Sequence, residues 1–258
     1  MKTKTIQIKN DIQDLESIQE RLEFLKDKYK DDTAYIITCG PSLSDHDVNM
    51  LKDKLQDKLV ISIKQAYNIL KEETDFHLLN TYNLSKYEWT KNPIVYWSLS
   101  KSYAEEQLQR IVGMKAPIDL FIPVINPPYL DRSQTTQATC NFDDFYMMEE
   151  QTEVKFGIGM MYEMAIPLSL LLGCKKIVII GWDLGDPKQD FAPENWKHFY
   201  NDERSKITGP VQGEIAEVIA STDKLHDWFV QKEIDVKLIS DSSFISNKFE
   251  RIKLSDIK

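Results

Sequence analysis

Residues 36–45 read IITCGPSLSD. An apolar run stops at Cys39–Gly40–Pro41, and Ser42 to Asp45 then open onto a helical pattern. Gly and Pro make tight turns wherever a chain reverses. The same turn can hold a phosphate, through free backbone N–H groups and the positive end of a helix dipole. The fold that surrounds the turn has to decide between these two readings.

Outward from this stretch the strand-then-turn pattern recurs. AYIIT (34–38), LVISI (59–63), FHLLN (76–80), IVYWS (94–98) and KKIVIIGWD (175–183) are short, β-rich apolar runs. LFIPV (120–124) is a further strand that Pro123 confines to an edge or ends early. VKLIS (236–240) is expected to be the last. Between them lie segments of helical spacing. Residues 11–30 predict one amphipathic helix through Ile12, Leu15, Ile18, Leu22, Leu25 and Tyr29. Ser44 with Asp47 predicts a helix start whose inward stripe is Val48, Leu51 and Leu55. A helix over 157–173 carries Pro167, which should kink or reset it before Gly173 ends it. Helical spacing returns over 214–232, and SFISNKFERIKL (243–254) predicts a terminal amphipathic helix. Strands alternating with helices imply an α/β fold, a single doubly wound, mostly parallel sheet of Rossmann type. Two long irregular segments, 125–155 and 184–214, are expected to act as lid loops. The organisation is thus an N-terminal amphipathic helix within 1–32 and one α/β domain over 33–258.

Composition narrows the function classes. With 258 residues, 42% of them hydrophobic, the chain can bury a sizeable core. A net charge of −9 argues against a protein that grips nucleic acid. Cys39, Cys140 and Cys174 form no CxxC pair, and the four histidines show no metal-ligand spacing, so neither disulfides nor a metal site are expected. The N-terminus has no apolar core of signal-peptide length. AIPLSLLLG is too short to span a bilayer. The expectation is a soluble, cytoplasmic protein. Its membrane contact, if any, is peripheral at the inner face, carried by Lys248, Arg251 and Lys253 on the terminal helix.

In a doubly wound sheet, ligands bind beyond the carboxyl ends of the strands. Polar or glycine-rich punctuation follows several of them: Gly40–Pro41–Ser42, Lys64–Gln65, Asn80 with Asn83, and Asp183. Gly157 and Gly159 precede the kinked helix. Neither GxxxxGK[ST] nor GxGxxG occurs. Asn80 and Asn83 can bond a base edge or sugar hydroxyls, or cap their loop. Asp183 ends the most buried strand, so it needs a specific partner; it could be catalytic, structural or a sugar ligand. His198, in the long loop after it, suits a lid-borne base.

IITCGPSL, the polar pair after the second strand, FHLLNTYN, and the small-residue helix ending LGCKKIVIIGWDL together resemble two related groups. These are the bacterial sialyltransferases that use CMP-sialic acid, and the MptE-like domains of motility-associated flagellin glycosyltransferases. The resemblance runs over roughly 33–245. It implies a GT-A-like, metal-independent nucleotide-sugar fold with no cofactor beyond the donor substrate. It implies that Gly40, Pro41, Ser42, Gln65 and Asn80 or Asn83 hold the cytidine monophosphate, with Gly157 and Gly159 near the donor sugar. The family's histidine base falls in residues 209–217, where this chain has Glu214 and Glu217. Its phosphate-binding tyrosines fall where this chain has Gly185 and Phe191, which leaves His198 and Tyr200 as later candidates. The implied activity is transfer of a sialic-acid-like sugar or Kdo from a CMP donor to a glycan or lipid-linked glycan, by a monomer or homo-oligomer. The alternatives are an MptE-like pyrophosphokinase, with magnesium held by Asp143–Asp144 and Asp186 or Asp190, and a degenerate nucleotide-binding module.

Overall fold

The computed structural model describes residues 2–80, 87, 89–90, 93–98, 118–125, 142–143, 154–155, 160–183, 211–242 and 244–258, and only the backbone of 124–125, 154–155 and 211–218. The strands are β1 (Thr33–Ile37), β2 (Leu59–Ile63), β3 (Phe76–Leu79), β4 (Ile94–Trp97), β5 (Leu120–Phe121), β6 (Val124–Ile125), β7 (Val154–Lys155), β8 (Lys176–Ile180), β9 (Asp235–Ile239) and β10 (Glu250–Arg251). Eight of them form one sheet in the order β10-β9-β8-β1-β2-β3-β4-β5, while β6 and β7 pair separately. Every pairing is parallel. The expected α/β architecture is therefore what the chain adopts, and all strand C-termini of the main sheet lie along one edge. The 125–155 and 184–214 lid expectations fall almost wholly outside the described residues.

Continuous burial along β2, β3 and β4 follows from covering both faces. On one face Ala34, Ile36, Ile61, Leu78, Tyr96 and Ile179 pack under Ile8, Leu22, Met164 and Phe229. On the other, Tyr35, Ile37, Val60 and Ile180 pack under Leu51 and Leu55. The chain steps outward from β1 to β5, then returns to place β8 on the other side of β1. Consistent with that reversal, helix α3 (Val48–Leu55) covers one face and helix α5 (Val211–Gln231) the other. A crossover of fixed hand changes face when its direction across the sheet changes.

Several expectations need correction. The single helix over 11–30 is two helices, α1 (Lys2–Gln13) and α2 (Ile18–Leu25). Ser17 breaks the run by capping α2: it accepts from the Glu20 N–H at 3.2 Å, and the Glu20 carboxylate accepts the Ser17 N–H at 2.8 Å. Asp47 rather than Ser44 caps α3, accepting the Met50 N–H at 2.9 Å, so the helix starts later and Val48 is 42% exposed. A 3₁₀ turn, Pro41–Asp45, fills the gap. AYNILKEE (66–73), whose spacing after β2 predicts a helix, begins instead with a 3₁₀ turn, Lys64–Asn68. Pro167 resets its helix as expected: Ile166 N–H bonds the Met161 carbonyl in a π turn, Met161–Ala165, ahead of α4 (Ile166–Leu171). Pro167 offers no N–H to the carbonyl four residues back, and the turn widens.

The terminal helix does not form. Its span supplies β10, which pairs with β9 through Glu250↔Lys237 and Arg251↔Leu238. The basic face expected there is therefore dispersed. Lys248 pairs with Asp227 at 2.8 Å, and Arg251 donates to the carbonyls of Ser242 at 3.1 Å and Ile245 at 3.0 Å. Among the described residues, no helix is long and apolar enough to cross a membrane.

Helix α1 is weakly amphipathic and is held by charge at the N-terminal edge of the sheet. Asp75, just before β3, accepts the Val60 N–H of β2 at 2.9 Å and pairs with Lys2 at 2.6 Å. Asp119, just before β5, repeats the device: it accepts the Val95 N–H of β4 at 2.8 Å and pairs with Lys9 at 3.0 Å. Lys2 and Lys9 are seven residues apart, two turns on one helix face. Removing one partner of such a pair strands a buried charge. Asp119→Ala is expected to destabilise the chain by about 3 kcal/mol in denaturant unfolding, and more than Lys4→Ala, whose Asp32 partner is about a third exposed.

His77, fully buried on β3, stacks on Tyr67 at 4.1 Å, and its Nε2 meets the Lys64 carbonyl at 3.1 Å. Burial pushes its pKa down from 6.5 to about 3. The unfolded chain then binds a proton that the folded chain refuses, so this group's stability is present above pH 6.5 and lost as pH falls towards 3. His77→Phe, which keeps the stack, should remove close to one proton from the slope of unfolding free energy against pH in that window, roughly 3–5 kcal/mol in total.

Candidate functional site at the carboxyl edge of the sheet

The order of strands reverses between β1 and β8, and a crevice for ligands in such sheets opens outside the carboxyl ends at that point. Beyond β1 lie Thr38, Cys39, Gly40 and the Pro41–Asp45 turn. Beyond β8 lie Gly181, Trp182 and Asp183, and beyond β9 lie Ser240 and Ser242. On the other side, Lys64 and Gln65 follow β2, Asn80 follows β3 and Ser98 follows β4. Parallel pairing thus gathers Gly40, Pro41, Ser42, Gln65, Asn80 and Asp183 on one edge.

The turn and the carboxylate expected to do chemistry meet each other. Asp183 Oδ2 accepts the Ser42 N–H at 2.8 Å, and Oδ1 accepts the Ser42 hydroxyl at 2.8 Å. The Ser240 hydroxyl also donates to Oδ1, and the Ser242 hydroxyl donates to the Asp183 carbonyl. Asp183 is 1% exposed. Burial pushes its carboxyl above the usual range, while the bonds from Ser240 and Ser42 pull it back. The specific partner that a buried carboxylate requires is therefore a ring of neutral donors. The anion resting on the N–H and hydroxyl of the GPS turn is the chain's own carboxylate. Ser42 Oγ, whose hydroxyl donates a hydrogen bond to Asp183, keeps lone pairs to accept from a ligand.

Gly40 has a structural reason to be glycine. Its N–H donates to the Gly181 carbonyl at 3.0 Å, and a Cβ there would collide with that carbonyl oxygen and with Asp183 Oδ2. Thr38 Oγ1 adds a bond to the Ile180 carbonyl at 3.2 Å. Arg251 holds the loop that carries Ser240 and Ser242 by its carbonyl contacts. Cys39 is buried, its Sγ 3.2 Å from the Ile63 carbonyl, and burial pushes its thiol up to about 11. It is a packing residue.

The far side of the edge is polar and less engaged. The Asn80 amide makes no hydrogen bond among the described residues. Gln65 Oε1 is buried without a partner among the described residues, as is the hydroxyl of Tyr96 on β4. Lys64 has a left-handed backbone, φ +46°, unusual for a residue with a long side chain. Glu163, 6% exposed on the π turn, acts electrostatically on both Lys64 and Tyr96. Sequence reading did not single out Glu163, Tyr96, Ser240 or Ser242. The two serines followed a strand end like the other candidates, but the terminal segment was expected to be helical.

Asn83, Gly157, Gly159, His198 and Tyr200 lie outside the described residues. Glu214 belongs to α5, whose C-terminal end leads into the start of β9. Its N-terminal turn, with the Glu214 backbone, therefore points towards the carboxyl edge. Among the described residues no group of three His, Cys, Asp or Glu could hold a metal. Asp143 pairs with Lys232 at 2.6 Å and accepts from Trp228 at 3.2 Å; Asp144, Asp186 and Asp190 lie outside the described residues. A cleft of about 520 Å³ opens at the opposite edge of the sheet, lined by Asp27, Lys30, Gly173, Lys175, Trp228 and Ile234. None of the strand-end candidates lines it.

No family model and no curated protein matches the chain. Among solved structures it is similar to the MAf glycosyltransferase from Magnetospirillum magneticum AMB-1, at 14% identity and a TM-score of 0.48, over 95% of this chain and 40% of that one. The chain thus spans less than half the length of that protein.

Asp183→Asn tests the carboxylate ring. An amide nitrogen would face a Ser42 or Ser240 donor, so one buried donor loses its acceptor. A loss of about 2 kcal/mol is expected, seen as a fall in Tm of roughly 4–8 °C, and Ser42→Ala in the same background should add little.

Proposed function

We propose that the chain is a glycosyltransferase that moves an acidic sugar, sialic-acid-like or Kdo, from a CMP-activated donor to a glycan acceptor without a metal. The observation that supports this reading most is the placement of the GPS turn, Gln65, Asn80 and Asp183 on one carboxyl edge across the switch in strand order. Amides at Gln65 and Asn80 carry both donors and acceptors, which suits a cytosine edge or ribose hydroxyls. Asp183 keeps the Ser42 turn in shape, so the rim beside Gly40 and Pro41 is preorganised. Gly157 and Gly159 would approach the donor sugar.

The chemistry asks mainly for positioning. An acceptor oxygen bonds to the anomeric carbon, the bond from that carbon to the phosphate oxygen breaks, and its electron pair leaves with CMP. The acceptor proton passes to a carboxylate or imidazole, Glu214 or His198. Tyr200 and polar groups on the rim stabilise the departing phosphate. Lipid-linked glycans belong to the same acceptor class.

Titration calorimetry with CMP, UMP and AMP, without added magnesium, tests the donor class. CMP should bind at least tenfold more tightly than the others, and Asn80→Ala should weaken it about tenfold, one lost hydrogen-bonded contact. Clear binding of a different nucleotide with no heat from CMP overturns the reading. Binding of CMP with no transfer from any CMP-sugar would identify a nucleotide-binding module instead.

A further inference from the structure

The two ends of the carboxyl edge differ in how their polar groups are spent. At the switch point Asp183 absorbs the Ser42 and Ser240 donors. One strand further on, the Lys64 ammonium makes no hydrogen bond or ion pair among the described residues, although Lys64 is half-buried. Buried polar groups without partners are rare and mark sites where a water or ligand belongs.

Register gathers these groups. Ile63, Leu78 and Tyr96 stand opposite one another on β2, β3 and β4, on the same face of the sheet. Lys64 follows Ile63 directly, and the Tyr96 hydroxyl is buried without a partner among the described residues. The π turn that carries Glu163, the widened turn that Pro167 imposes, packs on this row through Met161, Tyr162, Met164 and Ala165. Burial is the main cause that lowers Lys64 and raises Tyr96, and the Glu163 charge opposes the first shift and adds to the second. The left-handed backbone at Lys64 and a π turn are two local departures from regular geometry that converge on one place. Such departures concentrate at ligand sites.

We propose that Lys64, Glu163 and Tyr96 form a subsite for a phosphate ester of a polyhydroxylated sugar, with Lys64 on the phosphate and Glu163 accepting a sugar hydroxyl. The subsite rests on the nucleotide-sugar reading above and deepens it: the donor's phosphate goes to the end of β2, since the donors of the GPS turn are taken. Lys64 is a compact, desolvated cation suited to a phosphate. A carboxylate beside it accepts hydroxyl protons and selects an ester of a sugar over inorganic phosphate. The Tyr96 hydroxyl gains the partner it lacks.

The test is calorimetry on the full chain with CMP, cytidine, ribose 5-phosphate and inorganic phosphate, in the native protein and in Lys64→Asn, Lys64→Arg and Glu163→Gln. Asn tolerates the left-handed backbone, so Lys64→Asn should keep the fold. It should weaken CMP at least tenfold and leave cytidine within twofold, with Lys64→Arg restoring most of the loss. Glu163→Gln should weaken CMP and cytidine by the same factor, about fivefold. Ribose 5-phosphate should bind more tightly than inorganic phosphate. CMP binding that is unchanged in Lys64→Asn overturns the subsite and leaves the donor reading standing. Loss of ribose 5-phosphate binding in Lys64→Asn, with no CMP binding in the native chain, supports the subsite and overturns the donor. Heat from none of the four compounds overturns both. If a variant fails to fold, acetylation of Lys64 in the native chain, followed by mass spectrometry, decides: CMP should slow it at least fivefold, and no protection by any of the phosphate esters overturns the subsite.

Discussion

The contact between Asp183 and Ser42 joins the ends of two strands that are adjacent in space and 141 residues apart in sequence. It sits where the strand order reverses, and it has to satisfy a carboxylate from which water is excluded. Neutral donors supply its hydrogen bonds, and burial leaves a carboxyl that holds its proton more tightly than usual. Gly40 allows it by letting the β1 end approach the Gly181 carbonyl, and Arg251 by fixing the loop that brings Ser240 and Ser242. The rest of the rim takes its place from this junction.

The two edges of the sheet handle charge differently. At the N-terminal edge, Asp75 and Asp119 each cap a neighbouring strand and each meet a lysine of α1. Those charges are spent on holding a helix of weak amphipathicity against the sheet. At the carboxyl edge, the Lys64 ammonium, the Asn80 amide and the Tyr96 hydroxyl have no partner among the described residues. Burial without satisfaction costs stability, and at the carboxyl edge a ligand would relieve part of that cost.

Much of this was legible from the chain alone. Apolar runs of four to six residues separated by helical spacing specify a parallel sheet covered on both faces, and polar punctuation after each run marks the carboxyl edge. Pro167 announced a reset of its helix because a missing N–H acts locally. The misreadings share one cause: periodicity was followed through a local signal that interrupts it. Ser17 with Glu20 is a capping box inside an apparently continuous helix. Asp47 competes with Ser44 for the same helix start. Phe249 and Ile252 suggest a helical face, yet the open edge of β9 captures their segment as a strand, because pairing satisfies backbone groups that a lone helix would leave β9 without.

Strand and helix content, the absence of nucleotide-binding glycine fingerprints and the identity of the strand-end residues are properties of the sequence by itself, since each depends on neighbours within a few positions. Which strand ends face each other depends on the order of strands, and that order is a property of the whole sheet. Only the tertiary structure therefore decided that Ser42 serves Asp183, that the π turn carrying Glu163 packs on the face of Ile63, Leu78 and Tyr96, and that the Lys64 ammonium makes no hydrogen bond or ion pair among the described residues.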